Sequence, residues 1–389
     1  MYQIRTYNAI SAKGLDRFDA NQFSLGEGIA EPHAFILRSK KLHGEPVPES
    51  LLAVARAGAG YNNIPVDEYS ACGVVVFNTP GANANAVKEL IAVGLILGSR
   101  RIFEGINYVQ TLKDIKDPAE LSRHLEKEKK RFRGSEIRGK SLGIIGLGAI
   151  GSMVANMALE LGMRVVGFDP ALSVEAAWQL SSRVEKVESL QALLGEVDYI
   201  SLHVPANEHT VGLINEEALS KIKPGTKLLN FARDQVVEID AVISALDSGK
   251  LSSYITDFPR PELIGRKDTL LLPHIGASTS EAEENCAVMA ADQLMDFLLN
   301  GNITNSVNFP GIRMKRNGGF RITFCNENVP RVLGIVLSTL ADHNINVIDM
   351  VNRSRGEVAY NIIDVESKPA QKVLDQIAQC AGVKALRLI

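Results

Sequence analysis

Ser141-Leu142-Gly143-Ile144-Ile145-Gly146-Leu147-Gly148-Ala149-Ile150-Gly151 is an apolar strand running into three glycines spaced G-x-G-x-x-G. An amphipathic helix, about Ile150 to Leu161, follows, and the next strand ends at Asp169, 23 residues after Gly146. Strand, glycine turn, helix and acidic residue at that spacing form a dinucleotide-binding fingerprint. Gly146 permits the tight turn, Gly148 lets the backbone approach a pyrophosphate, and Gly151 lets the helix pack closely on the sheet. The helix N-terminus offers free N–H groups and partial positive charge to the phosphates. Asp169 would accept from a ribose diol and repel a 2′-phosphate, so the pattern predicts NAD rather than NADP.

On either side of this motif, strand-length apolar runs alternate with helix-length amphipathic segments, which predicts parallel sheets covered by helices. Upstream, Tyr2–Tyr7, Ala34–Arg38, Leu52–Arg56 and Val74–Asn78 read as strands, and a helix runs from about Ala84 to Arg101. Downstream, Arg164–Phe168, Tyr199–Val204, Lys227–Phe231, Ser253–Asp257 and Thr269–Leu272 read as strands. A helix then runs from about Ser278 to Asn300, with Ser278 and Glu281 as a capping-box pair and Asn300-Gly301 as its stop. After a linker at Lys315–Gly319, the order changes to βαββαβ, with a hairpin around Ser354-Arg355-Gly356. The expected fold is α/β: two flavodoxin- or Rossmann-like doubly wound domains plus a C-terminal ferredoxin-like unit.

The length of 389 residues suits two or three domains, and 42 Lys and Arg against 45 Asp and Glu leave a net charge of −3. Nothing in that balance draws the chain to nucleic acid or an anionic membrane. No apolar run reaches the ~18 residues of a transmembrane helix. Cys72, Cys286, Cys325 and Cys380 lie far apart without a CxxC pair, which suits a reduced, cytoplasmic protein and no metal site. Lys113–Lys140 holds ten Lys and Arg against six Asp and Glu. It reads either as a solvated helix face or as a basic arm around Lys127, Lys129, Lys130 and Arg131 facing an anionic substrate, even one on a neighbouring subunit.

A nicotinamide reaction on a hydroxy acid needs a cation for the carboxylate, an acid/base for the oxygen and a group to orient it. Candidates lie just past strand ends, where open α/β sheets form their ligand crevice. Arg233 offers a bidentate fork, His274 a pKa near neutrality, and Glu262 a carboxylate. His203, in Leu202-His203-Val204-Pro205, is a rival acid/base. The remaining histidines lack comparable context.

At these residues the sequence resembles the D-2-hydroxyacid dehydrogenase family. The marks are Gly146–Gly151, His203-Val204-Pro205, Asn230-Phe231-Ala232-Arg233 and Pro273-His274-Ile275-Gly276-Ala277-Ser278-Thr279. The resemblance implies that Arg233 clamps the substrate carboxylate, His274 is the acid/base and Glu262 orients it. It also implies cofactor contacts at Ala149, Ile150, His203, Val204, Pro205, Ala232, Asp257 and Gly276. Two places depart from the family pattern. Asp234 replaces the glycine after the arginine, and Thr256–Glu262 is less typical.

Within the family, the similarity is to the branch that oxidises D-3-phosphoglycerate, the first step toward L-serine. That reading implies Arg38, Lys40 and Arg56 as phosphate cations, with Gly58 beside them and Gly81, Ala82 and Asn83 at the carboxylate. The C-terminal unit resembles an ACT regulatory domain. Asn328 and Asn346 would then be ligands for an L-serine effector, with Asn326 where a histidine is common. The implied organisation is a substrate domain from 1–87 and 278–312, a Rossmann domain at 88–277 and the ACT domain at 318–389. The substrate would bind in the cleft between the first two domains of a homodimer or homotetramer. Other outcomes are a reductase of 2-oxoglutarate or hydroxypyruvate, and a non-catalytic NAD sensor on the same fold.

Overall fold

A computed structural model describes residues 1–389, the Glu175 side chain excepted. The chain divides into two compact units, Met1–Asn83 with Thr279–Ile389, and Ala84–Ser278.

In the first unit, β1 (Tyr2–Thr6), β2 (Phe23–Gly26), β3 (Ala34–Leu37), β4 (Ala53–Arg56) and β5 (Val75–Phe77) form a sheet ordered β2-β1-β3-β4-β5. All pairs are parallel, and the order is the flavodoxin-like one. β3 is buried on both faces, which is why Ala34-Phe35-Ile36-Leu37 is uninterruptedly apolar. β2 is the strand the sequence concealed. It is a four-residue edge closed by Gly26, too short to show alternation.

In the second unit, β6 (Ser141–Ile145), β7 (Arg164–Phe168), β8 (Glu185–Lys186), β9 (Tyr199–Leu202), β10 (Thr226–Asn230), β11 (Leu251–Thr256) and β12 (Thr269–Leu271) run parallel. Their order, β12-β11-β10-β9-β6-β7-β8, reverses direction between β6 and β9. Ile145 is in register with Leu202, so Gly146 and His203 leave the sheet side by side at this switch point. Ligands of doubly wound sheets bind at that place.

The third sheet belongs to the first unit. β13 (Phe320–Glu327), β14 (Val347–Arg355), β15 (Val358–Val365) and β16 (Val383–Leu388) pair antiparallel as β14-β15-β13-β16, the ferredoxin-like order. On one face Ile322, Phe324 and Ile363 pack with Val336 and Leu340 of helix Val332–Asp342 and with Val373 and Ile377 of helix Gln371–Ala378. On the other, Cys325, Tyr360 and Ile362 join a core with Ile4, Ala53, Phe297 and Phe309.

That second face buries an ion pair. Arg321 and Asp364 are fully inaccessible and meet through two bonds, 2.7 and 2.8 Å. The other guanidinium hydrogens go to the Asn300, Met314 and Lys315 carbonyls. The stretch read as a linker thus supplies a carbonyl to a buried cation. Arg321→Ala leaves Asp364 buried and unpaired, and is expected to cost about 3–5 kcal/mol in denaturant unfolding, whereas Arg321→Met with Asp364→Leu is expected to recover part of that loss, the three carbonyls still lacking their donor. Equal losses from both would show that the bonds to those carbonyls, not the pairing with Asp364, are what Arg321 supplies.

Helix Ser280–Asn300 ends on left-handed Gly301, as its sequence indicates, but its N-cap is Thr279, whose Oγ1 accepts from Ala282 N, and not Ser278. Among the described residues no helix is long and apolar enough to cross a membrane.

Candidate active site

The glycine turn follows from β6 running into helix Ala149–Glu160. Gly146 has φ +91°, a conformation other residues rarely adopt. A Cβ on Gly151 would lie 1.9 Å from the Gly146 carbonyl oxygen. Above Gly148 a Cβ would meet no protein atom within 4 Å, and Gly148 and Ala149 are exposed. The helix has no side-chain cap at Gly148, so its first N–H groups face open space. Asp169 is fixed beside them, accepting from Leu147 N at 2.8 Å and Ala171 N at 2.9 Å. Open space over uncapped N–H groups, with a placed carboxylate at the next strand end, fits a dinucleotide. Gly151→Ala is expected to force the turn apart, destabilise by about 1–3 kcal/mol and weaken NADH binding. Thermal melts and fluorescence titration measure both, and wild-type NADH affinity would contradict the packing argument.

His203 donates its backbone N–H to Ile145 O, and its Nε2 lies 2.9 Å from Ser201 Oγ. Burial holds this imidazole down to about 3. It stays neutral near pH 7, which removes it as the titrating rival. Val204 packs on the second unit's core, and Pro205 is exposed.

Three carboxyl ends of neighbouring strands carry the polar residues. After β10, the buried Asn230 accepts from Ala232 N and donates to the Arg233 carbonyl at 3.0 Å, and Thr256 Oγ1 holds the Asn230 carbonyl at 2.7 Å. The sequence marks Asn230 as part of the motif Asn230–Arg233 but does not reveal this bracing role. Arg233 is half-buried. Its Nη1 donates to Ala232 O at 2.6 Å, and no ion pair engages it among the described residues. Asp234 turns to Arg260 instead, in a bidentate pair of 3.2 and 2.5 Å. The two departures from the family pattern are therefore partners.

After β11 comes Asp257, 2 % exposed. Burial pushes its carboxyl up from the usual range, while a hydrogen bond from Gly276 N and the charges of His274 and Arg233 act the other way. Its Oδ1 is buried without a partner. After β12, His274 is exposed with φ +51°, a left-handed backbone rare outside glycine, and its ring centroid lies 4.9 Å from that of Phe258. Glu262 sits exposed in the short turn Pro261–Leu263, and no hydrogen bond or ion pair joins it to His274 among the described residues. An aromatic ring, with Asp257 acting electrostatically, faces the imidazole where sequence reasoning placed Glu262.

In the first unit, Arg38, Lys40 and Arg56 follow β3 and β4, again at carboxyl ends. Asn8, with φ +66°, accepts from Ser39 N and Lys40 N, and Asn63 bridges the Arg38 and Lys40 carbonyls to Arg56 Nε. The Arg56 guanidinium lies over Gly58, so a side chain there would push it aside. Arg38 pairs with Glu283 at 2.7 Å, and Lys40 with Glu45 at 2.5 Å. Neither carboxylate was foreseen; both reduce the positive field. Gly81 and Ala82 form the turn after Thr79, and the Asn83 Oδ1 is buried without a partner.

The basic stretch holds one helix, Pro118–Glu128, and a short turn, Lys129–Phe132, in which Lys129 pairs with Glu126 and Arg131 with Glu128. Asn328 and Asn346 are both exposed. Asn328 donates to Gly356 O beside the start of β15, whereas Asn346 accepts from Glu366 N beyond its end. The length of β15, roughly 23 Å, separates them, so one copy does not bring them together. Among the described residues no cluster could hold a metal ion.

A family model described as "D-isomer specific 2-hydroxyacid dehydrogenase, NAD binding domain" matches residues 105–276. Over 382 residues the chain is 32% identical to the D-3-phosphoglycerate dehydrogenase of Escherichia coli (strain K12), covering 94% of this chain and 88% of that protein. It is likewise 32% identical over 367 residues to the protein of that name from Dictyostelium discoideum, covering 90% and 85%. Among solved structures, NAD+-bound 3-phosphoglycerate dehydrogenase from Entamoeba histolytica aligns with a TM-score of 0.62 and 26% identity, covering 79% of this chain and 98% of that one. D-mandelate dehydrogenase from Rhodotorula graminis aligns at 0.65 and 28%, covering 79% and 97%.

Proposed function

Because this chain belongs to the D-isomer-specific 2-hydroxyacid dehydrogenases, we propose that it oxidises D-3-phosphoglycerate to 3-phosphohydroxypyruvate with NAD. The observation that carries the chemistry is Asp257, a buried carboxyl after β11 that accepts from Gly276 N, two residues past His274, on the strand beside the one Arg233 follows. It ties the candidate carboxylate clamp and the candidate acid/base to one locality beyond β10, β11 and β12.

In this reading Arg233 takes the substrate carboxylate in its planar fork, since no carboxylate among the described residues occupies it. His274 accepts the C2 hydroxyl proton at a ring nitrogen, so that negative charge does not build up on the oxygen. Phe258 limits where the imidazole can tilt. The Asp257 Oδ1 offers an acceptor to an amide N–H, and Gly146–Gly151 and Asp169 hold the pyrophosphate and ribose. When bound, NAD supplies the acceptor for the C2 hydride. Arg38, Lys40 and Arg56 are assigned the phosphate, in competition with Glu283 and Glu45.

L-Serine is proposed as effector at Asn328 and Asn346. Their separation along β15 requires that it bridge two copies of the chain, which calls for a homodimer or homotetramer.

The test follows NADH loss with 3-phosphohydroxypyruvate, hydroxypyruvate and 2-oxoglutarate, each with and without L-serine. The phosphorylated acid should give the highest kcat/KM. Preference for either unphosphorylated acid would replace the substrate, NADH binding without turnover would indicate a sensor, and indifference to serine would remove the effector.

A further inference from the structure

The segment after β10 sets a carboxylate immediately beside the arginine that has to attract an anion. Asp234 follows Arg233 directly, its Cα about 3.8 Å away. Left alone, it would weaken Arg233, both as a competitor for the guanidinium and as a negative charge facing an anionic substrate. The structure holds it elsewhere. Arg260, from the loop after the neighbouring strand β11, grips Asp234 through two hydrogen bonds, and Asp234 is the more buried partner, 24% exposed against 48%. Arg233 keeps its single bond to Ala232 O and no ion pair among the described residues.

We propose that Arg260 is a positioning residue for substrate affinity: by binding Asp234 on both oxygens it keeps Arg233 available and cancels the adjacent charge. The inference rests on the reading of Arg233 as the carboxylate clamp. The pair is half-exposed on the Arg260 side, so most of what Arg260 does there is electrostatic, acting on Asp234 beside Arg233. The pair also ties the Arg233 loop to the turn that begins at Pro261, so one contact sets the position of both strand-end segments.

The experiment compares Arg260→Gln, Arg260→Lys and the neutral pair Asp234→Asn with Arg260→Gln. KM for the preferred 2-keto acid is expected to rise about tenfold in Arg260→Gln, with kcat and melting temperature nearly unchanged and the effect shrinking as salt is added. Arg260→Lys should lie between this variant and wild type, and the neutral pair should recover most of the affinity. Calorimetric binding of oxamate, an inert carboxylate, to each NADH complex gives the same order without turnover. If wild type binds oxamate but Arg260→Gln matches it, or if the neutral pair is no better than Arg260→Gln, the positioning role is wrong while the clamp stands. If wild type does not bind oxamate at all, the clamp and the inference both fall.

Discussion

His274→Asn is expected to lower kcat for keto-acid reduction by about 10²–10⁴-fold, the usual contribution of a positioned acid/base. NADH affinity and melting temperature should stay near wild type, because the ring is exposed and makes no hydrogen bond among the described residues. Asparagine tolerates the left-handed backbone at this position better than alanine would, so loss of activity would report the missing proton carrier and not a rebuilt loop. His203 serves as the control. Its ring is held neutral by burial, and a substitution there should act through packing and cofactor binding, not through the proton. If His274→Asn retains kcat within a few-fold, the proton carrier is another group.

Arg233→Gln is expected to reduce kcat/KM by the ~2–5 kcal/mol typical of truncating one partner of a charged, hydrogen-bonded pair, with the NADH dissociation constant little changed. Arg233→Lys should restore only part of it. Lysine supplies the charge, but not the planar fork that meets two carboxylate oxygens at once. The Arg233 carbonyl is held by Asn230, itself braced by Thr256, so removing the guanidinium costs the loop only the Arg233 Nη1 bond to Ala232 O. A variant that lost NADH binding together with substrate binding would show that Arg233 supports the fold and not the substrate.

These expectations start from residues that were legible to very different degrees. Gly146, Gly148 and Gly151 could be read directly because each answers a local demand, a φ, an open approach or a close contact, that no other residue meets. The parallel strands showed as unbroken apolar runs wherever both faces are covered. β2 and β8 did not, being short polar-edged strands that rely on a neighbour for their conformation. Arg321 is buried with Asp364, and nothing in the sequence of β13 reveals that its second face packs on the helix from Ser280 to Asn300 and the strands behind it.

The same limit applies at the site. Asp234 and Arg260 each stood out as a departure, yet their pairing spans 26 residues and depends on β10 lying beside β11. Glu262 keeps a plausible sequence distance and sits in an exposed turn, where no hydrogen bond or ion pair joins it to His274 among the described residues. Arg38 and Lys40 are cations in the sequence, while Glu283 and Glu45, which temper them, come from a distant helix and a loop. Spacing identifies which residues stand at strand ends. It does not reveal which opposite charges the fold will put next to them.

The most direct measurement is a crystal structure of the NADH complex with 3-phosphohydroxypyruvate. The account predicts a His274 ring nitrogen within about 2.6–3.2 Å of the C2 oxygen, and both guanidinium arms of Arg233 on the carboxylate. A substrate bound with its carboxylate on any other cation, or with His274 out of reach of that oxygen, would contradict it.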